Sequence, residues 1–563
     1  MNSFKNITQL IRSRKKIIFL FFFLLSNALA LPSAISLPYR LIFILYAGFI
    51  FWILFGTLGT KENILSIKLQ TENKPSLSYL WSALLIGGFI FLILSRIYMF
   101  ARYGEAPLGY DTGFYMQFFN LVTNMHSTVG VVTNRIAYTS WFPFFYLGLS
   151  PLFTIMMLHV SHQIVTWGAM YFFTRSFIKD KAVAAVAVFL FAISLNQFMT
   201  FWWMFYKQSM ALPFILLSVG LFVRRSWLFV PIGLIGAMIH LQTSIAFVLA
   251  CLIFILIQFT YCAIKKITPD REIITLTIVG LLSAITLIVL KGPDDVLTHL
   301  HYITRLRGLA SNAAAWEVGQ AKGLFIPFST FRLNTMFYLP FALLGIMSAR
   351  DWLFSSIKDR KNLLLILLFV ILPLVSFPFL YQNRSLIILD IVVIIFAAWP
   401  LVNFIKQCSQ EKIGSLTVAI LGIGILLFSS IFIWNHKPQV YAQEIAAIRQ
   451  IKTLRQTGDY AMVLSAVYTP WVYAFTGFEP TIVPGWLTWD KWDLNAWHEF
   501  WFSATNERRL ELLRIYGKNN IYLFIGLQQR LSPSLREFIE TDPHFEPINQ
   551  FIWRFTPYLL SEK

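Results

Sequence analysis

Charge is scarce in this chain. Only 13% of its 563 residues are Asp, Glu, Lys or Arg, while 57% are hydrophobic. A soluble fold needs more polar surface than that to cover an apolar interior, so a wholly soluble protein is excluded. Cysteine is scarcer still. Cys251, Cys262 and Cys408 lie in or beside apolar runs, and their spacing suits neither a disulfide framework nor a thiolate metal site. Acidic residues number 27 against 46 Lys and Arg, giving a formal net charge of +19. These cations are scattered among short loops, a pattern that serves membrane topology and not nucleic-acid binding. Also missing are a P-loop, a Rossmann fingerprint, a zincin motif and a nucleophile elbow. ATP-driven and serine-hydrolase chemistry therefore have no support.

Long apolar runs are what the chain has in quantity. Runs able to cross about 30 Å of hydrocarbon recur along it, where a β-barrel would show short alternating segments. The first seven are Ile17–Leu31, Tyr39–Leu58, Leu80–Met99, Leu152–Phe173, Ala182–Leu195, Ser209–Phe222 and Leu228–His240. Leu241–Tyr261, Ile273–Leu290, Met336–Met347, Leu363–Leu380, Ser385–Phe404 and Ser415–Ile433 follow. The expectation is a polytopic α-helical membrane protein with about thirteen transmembrane helices over residues 1–434.

The Lys and Arg clusters set its orientation. Arg12, Arg14, Lys15 and Lys16 place the N-terminus in the cytoplasm, and every later cluster falls on that side if the spans alternate. Loops 100–151 and 291–335 and the tail then lie outside. "SNALALP" offers Ala28 and Ala30 as a cleavage pattern, but an uncleaved first span is the favoured reading. After Ile433 the composition shifts. Ala461–Ala466, Thr481–Gly485 and Asn520–Gly526 read as strands and Asn506–Tyr516 as a helix, so residues 435–563 are expected to form an extracytoplasmic α/β domain.

Within "YGEAPLGYDTGFYMQFF" (Tyr103–Phe119), Asp111 follows Tyr110 where the chain leaves the third run, with Glu105 six residues earlier. A carboxylate there can take a proton from an acceptor hydroxyl, hold a metal or bind an amide, and it can equally be a solvated loop residue. "MIHLQTS" puts His240 at the end of one run, with Gln242 opening the next; ionisable groups at that depth tend to line cavities. "YQNRS" puts Arg384 in a tight turn, where its fork suits a phosphate or simply snorkels. Loop 291–335 carries His299, His301, Arg305, Arg307, Glu317, Lys322 and Arg332, an excess of cations suited to an anion. "NQFMTFWWMFYKQ" (Asn196–Gln208) reads first as an interfacial aromatic belt and second as a sugar-stacking surface, and "WLTWDKWD" (Trp486–Asp493) as a surface able to stack on a glycan. Asp390 is the best intramembrane carboxylate and has no partner evident from sequence.

Together these features resemble the GT-C superfamily of membrane glycosyltransferases, which use polyprenyl-phosphate-linked sugars. "GYDTGFYMQ" looks like the family's catalytic-carboxylate position, with Asp111 matching. "WFPFFYLGLSPLF" (Trp141–Phe153), leading to Arg175, is similar to the aromatic and proline-containing segment that follows. "IHLQTSIAFVLA" looks like a His-bearing span junction, and "YQNRSLIILDIVVIIFAAWPL" resembles the late junction whose Arg contacts lipid phosphate. Two spans precede the one leading to Asp111 where one is usual, and "TWDKWD" does not reproduce the oligosaccharyltransferase "WWD". A second-loop "DxD" pair is also missing. The resemblance thus implies inverting monosaccharide transfer, hexosyl or pentosyl, from a polyprenyl-phosphate donor to an extracytoplasmic glycan, lipid or protein. Asp111 would be the general base, supported by Glu105. Arg384, Arg305 and Arg307, with His240, Gln242 and Tyr110, would bind substrate. No cofactor or obligatory metal is expected. The setting would be the plasma (cytoplasmic or inner) membrane, in cell-envelope glycan synthesis. A transporter or flippase of lipid-linked glycans is the alternative, and a metal-dependent oligosaccharyltransferase-like enzyme a second.

Overall fold

The protein's structure is a computed structural model. It describes residues 75–104, 147–292, 334–355, 358–376, 382–409, 412–438, 440–465, 468–476, 481–483, 491–527 and 531–558, with a few single positions between them. The helices of the apolar part are α1 (Pro75–Tyr103), α2 (Pro151–Phe177), α3 (Lys181–Ile193), α4 (Leu195–Trp202), α5 (Tyr206–Val223) and α6 (Phe229–Ile239). They continue as α7 (Leu241–Lys265), α8 (Arg271–Lys291), α9 (Leu339–Ser355), α10 (Leu363–Ser376), α11 (Gln382–Cys408) and α12 (Lys412–Asn435). Five of them, α1, α5, α7, α8 and α11, are long and apolar enough to cross a membrane; six segments qualify if the bent pair α3 and α4 counts as one.

About thirteen spans are therefore not found among the described residues. The first two runs lie outside them. α6 has 11 residues and so reaches only about 16 Å, short of the hydrocarbon thickness, and α10 is described over 14 residues. α2 is long, but buried His159, Gln163 and Thr166 break its apolar character. The five long helices also differ in surroundings. The apolar window of α11 is 78% buried and that of α8 only 11%, so α11 is a central post while α8 presents its side chains outward.

The break between α3 and α4 falls at Ser194. Its backbone is extended, its hydroxyl caps α4 by accepting from the Gln197 amide, and the axes bend by 49°. The same hydroxyl donates to Asp390 Oδ2 at 2.8 Å, joined by Gln197 Nε2 at 2.9 Å. Asn196 Nδ2 (3.1 Å) and the Tyr338 hydroxyl donate to Oδ1. Asp390 is fully buried on α11, and all four of these donors are neutral. The carboxylate without an evident partner in sequence ties the broken helix to the central post. Such satisfaction is what a buried polar group requires.

In the C-terminal part, α13 (Ala442–Leu454), β1 (Tyr460–Val463), α14 (Thr469–Thr476) and β2 (Thr481–Ile482) come first. After them come α15 (Leu494–His498), α16 (Asn506–Arg514), β3 (Ile521–Phe524), α17 (Pro533–Thr541), β4 (Phe545–Pro547) and β5 (Ile552–Phe555). The strands form one sheet in the order β2-β1-β3-β5-β4. β1 pairs in parallel with β2 and β3, and β5 antiparallel with β3 and β4. Alternation assigns the faces. Met462, Ile521, Leu523 and Phe555 pack on Trp492, Phe500, Leu512 and Phe538. Ala461, Val463, Tyr522 and Phe524 share the other core with Ile448 and Trp471, and this core runs on into Leu152, Ile155, Met210 and Ile239 of the apolar helices. The sheet is thus seated on one end of the bundle. Trp492, expected at a glycan-stacking surface, is instead buried, with its indole N–H on the Leu512 carbonyl at 2.9 Å.

Candidate functional site

At the end of the bundle beneath the sheet, α4 and α5 are joined by the turn Trp203–Phe205. Met204 has a positive φ of 55°, unusual for a residue with a Cβ. The turn closes by Met204 N–H to Phe201 O at 3.0 Å and Phe205 N–H to Thr200 O at 3.2 Å. The surrounding aromatics are not an interfacial belt. Phe198, Phe201, Trp202, Trp203 and Tyr206 are all buried inside the protein. Their size builds a rigid floor there, which a purely apolar belt reading of the same residues misses.

Two glycines of the GYDTG stretch meet this floor and the sheet region. Gly109, at φ +75°, packs so closely that a Cβ would stand 2.5 Å from the Trp203 carbonyl carbon. At Gly113 a Cβ would lie 2.2 Å from the Pro470 carbonyl oxygen. Neither position admits a side chain without the backbone moving. Tyr115 packs its ring 5.2 Å from that of Tyr206, and Thr112 is buried. Asp111, Tyr110 and Glu105 lie outside the described residues, as do Arg305, Arg307, His299 and His301.

The structure brings together three of the residues singled out in sequence. Arg384, in the first turn of α11, donates from Nη1 to His240 Nε2 and to Gln242 Oε1 at 2.6 Å. Its carbonyl accepts from Gln208 Nε2 at 3.1 Å, and its guanidinium lies 5.6 Å from the Phe205 ring centre. His240 sits between α6 and α7 with extended backbone, so it ends one helix and caps the next. Its Nδ1 lies 2.5 Å from Thr243 Oγ1 and 3.2 Å from the Thr243 amide. A neutral imidazole has one lone-pair nitrogen, and an Arg only donates. Both ring nitrogens therefore face a donor, Nε2 the Arg384 guanidinium and Nδ1 the Thr243 amide, and either tautomer satisfies one of the two.

The arrangement is one that an anion can use. A guanidinium presents a planar fork matched to two phosphate oxygens, and it stands beside the N-terminus of a 25-residue helix, where the backbone dipole favours negative charge. Among the described residues, no three His, Cys, Asp or Glu side chains are placed to hold a metal ion.

Sequence reading missed a neighbouring group. Arg96 is fully buried within α1; Nη1 donates to Ser95 Oγ at 2.9 Å, while Nε and Nη2 have no hydrogen-bond partner among the described residues. Its guanidinium lies 5.3 and 5.7 Å from the Phe198 and Phe201 rings. His159 stacks on Phe201 at 5.0 Å, and His162 packs on Tyr206 at 4.9 Å. A lone Arg inside an apolar run was the available signal. Compared with known proteins, the chain matches no family model and no curated sequence.

Proposed function

We propose that this chain is a membrane glycosyltransferase that moves one sugar from a polyprenyl-phosphate donor to an acceptor hydroxyl or amide. The observation that carries this reading is the meeting of Arg384, His240 and Gln242 beside the Trp203–Phe205 turn, against which Gly109 packs. Asp111 is two residues from both Gly109 and Gly113 in sequence. Three stretches far apart in the chain, each selected for its polar residues, thus share one neighbourhood. On the thirteen-span reading this end of the bundle and the sheet face outward, and the membrane is the plasma (inner) membrane.

In the proposed reaction Asp111, supported by Glu105, takes the acceptor proton as the acceptor atom attacks the anomeric carbon. The bond from that carbon to the phosphate oxygen breaks, and its electron pair leaves on the phosphate. Attack opposite the leaving group inverts the centre. Arg384 shifts from His240 and Gln242 to the phosphate, whose growing charge its fork stabilises, and Arg305 or Arg307 assists. Aromatic residues around the site keep water from competing for the sugar.

The test uses purified chain in lipid, with polyprenyl-phosphate sugars and mixed glycan acceptors. Arg384→Ala should impair use of the donor and Arg384→Lys restore part of it, because Lys keeps the charge and loses the fork. Asp111→Asn should lower turnover by about 10²-fold or more while leaving donor binding intact. Both variants at the parent's rate would end the reading. Movement of the lipid-linked sugar across vesicles without transfer would favour the flippase instead. That reading also predicts charge-paired residues near mid-membrane, whereas the donors to Asp390 are neutral side chains.

A further inference from the structure

The opposite end of the bundle, separated from Arg384 by the length of α5 (about 27 Å), holds a second concentration of cations. A pocket of about 360 Å³ opens there between the end of α5, the start of α6 and the start of α8. Arg225, Trp227, Arg271, Glu272, Thr275 and Arg360 line it. Glu272 is the one carboxylate among them and is shared, bonded to Arg360 and 3.6 Å from Arg225 Nη1. Nearby Asp270 is engaged by Lys358 at 2.7 Å. The pocket therefore has three guanidiniums facing a single carboxylate.

The three cations differ in how they are held. Arg360 is buried, donates to the Phe222 carbonyl and lies 4.5 Å over the Phe222 ring, so it is fixed. Arg225 and Arg271 are exposed at the mouth. Arg225 also adopts φ +61° just past the end of α5, a position where glycine is the favoured residue. Below the pocket, α8 turns Ile274, Ile278, Leu281, Leu282 and Ile285 outward, each more than two-fifths exposed. Their spacing makes one stripe about 17 Å long that starts at the pocket. Trp227 and Leu228 are exposed beside the mouth.

We propose that this pocket binds the phosphate of an anionic phospholipid whose acyl chains lie along the outward stripe of α8. A phosphate monoanion or diester matches the cationic excess, and basic pockets between membrane helices suit such headgroups. The stripe has the length and chemistry of an acyl chain and continues directly from the charged mouth. Free phosphate would engage the arginines alone, whereas a lipid phosphate also brings its chains to the stripe. The site is independent of the transfer reaction.

The experiment titrates the purified full chain, in neutral detergent, with short-chain phosphatidylglycerol, with phosphatidylcholine of the same chains, and with inorganic phosphate. The thermal unfolding midpoint is followed. Phosphatidylglycerol should raise it saturably, and the other two should not at matched concentration. Combining Arg225→Gly with Arg271→Gln should raise the half-saturating concentration about tenfold or more. Arg225→Gly alone should hold or raise the lipid-free midpoint, since glycine tolerates the backbone there, so weaker binding will not reflect a damaged fold. Equal protection by the two lipids, an unchanged half-saturation in the double variant, or equal protection by phosphate alone would overturn the proposal.

Discussion

Two buried arginines, one in the C-terminal part and one in α1, are held in opposite ways. Arg509 donates from Nε to the Phe500 carbonyl at 3.0 Å, from Nη1 to Asn506 Oδ1 at 3.2 Å and the Ser534 carbonyl at 3.0 Å, and from Nη2 to Ser534 Oγ at 3.0 Å. It ties α16 to α17 and the segment before it. Arg96 is also buried and, among the described residues, makes one hydrogen bond, to the residue before it in its own helix. A cation removed from water costs several kcal/mol unless its donors are satisfied. Arg509 meets that condition and holds the fold. Arg96 does not, and in a membrane helix such a residue points to function.

The largest expected effect in this comparison is on the satisfied side. Arg509→Leu removes all four bonds and leaves the carbonyls of Phe500 and Ser534 without that donor, so it should cost about 3 kcal/mol. Chemical unfolding of the purified chain measures it, and a loss under about 1 kcal/mol would break the distinction drawn here. Asp390→Asn should cost somewhat less, about 2 kcal/mol. One carboxylate oxygen becomes an NH₂ group and must face either Asn196 Nδ2 or Gln197 Nε2, which are donors that cannot reverse. The hydroxyls of Ser194 and Tyr338 can reverse. Equal stability of the Asn variant would mean that Asp390 is protonated in the parent.

The pH dependence of stability isolates a third cation-former, this one half-buried. His436 follows α12 and packs its ring 4.5 Å from that of Trp202 and 5.7 Å from that of Phe198. Burial pushes its pKa down from the ordinary 6.5 to about 4. The folded state thus favours neutral imidazole. Its contribution is complete above about pH 6.5 and is lost as the pH falls toward 4, by up to about 3 kcal/mol. His436→Phe should flatten that window. A slope unchanged by the substitution would assign it to other groups.

Some of this was legible in sequence for plain reasons. Strand positions near residues 461, 481 and 521 follow from short apolar runs ending in small residues, and the structure has β1, β2 and β3 there. His240 and Arg384 stood out because ionisable groups interrupt apolar runs. Their contact could not be read, since 144 residues separate them and no local pattern encodes the packing of α11 on α7. The aromatics of Asn196–Gln208 were misplaced for a related reason. A belt facing lipid and a floor facing protein use the same residues, and only the bend at Ser194 decides between them. Of the thirteen runs the first two lie outside the described residues, and hydropathy registers apolar length without telling α6, a helix of 11 residues, from a full crossing.

The smallest expected effect is also the sharpest, because its sign is reversed. Arg96→Met removes a cation whose Nε and Nη2 lack partners among the described residues and keeps an unbranched side chain of similar length. The lost contacts are one hydrogen bond, to a Ser95 hydroxyl that already donates to the Leu92 carbonyl at 3.0 Å, and the face contacts with Phe198 and Phe201. Those face contacts contribute about 1 kcal/mol. Against this stands relief of two buried N–H groups, each costing about 1 kcal/mol or more. The variant should therefore unfold at the same free energy as the parent or up to about 1 kcal/mol higher. On the transfer reading it should also react more slowly, because Arg96 and His159 both pack on Phe201 in the floor of the site. Destabilisation comparable to that of Arg509→Leu would place Arg96 among the residues that hold the fold, and the contrast between the two arginines would be gone.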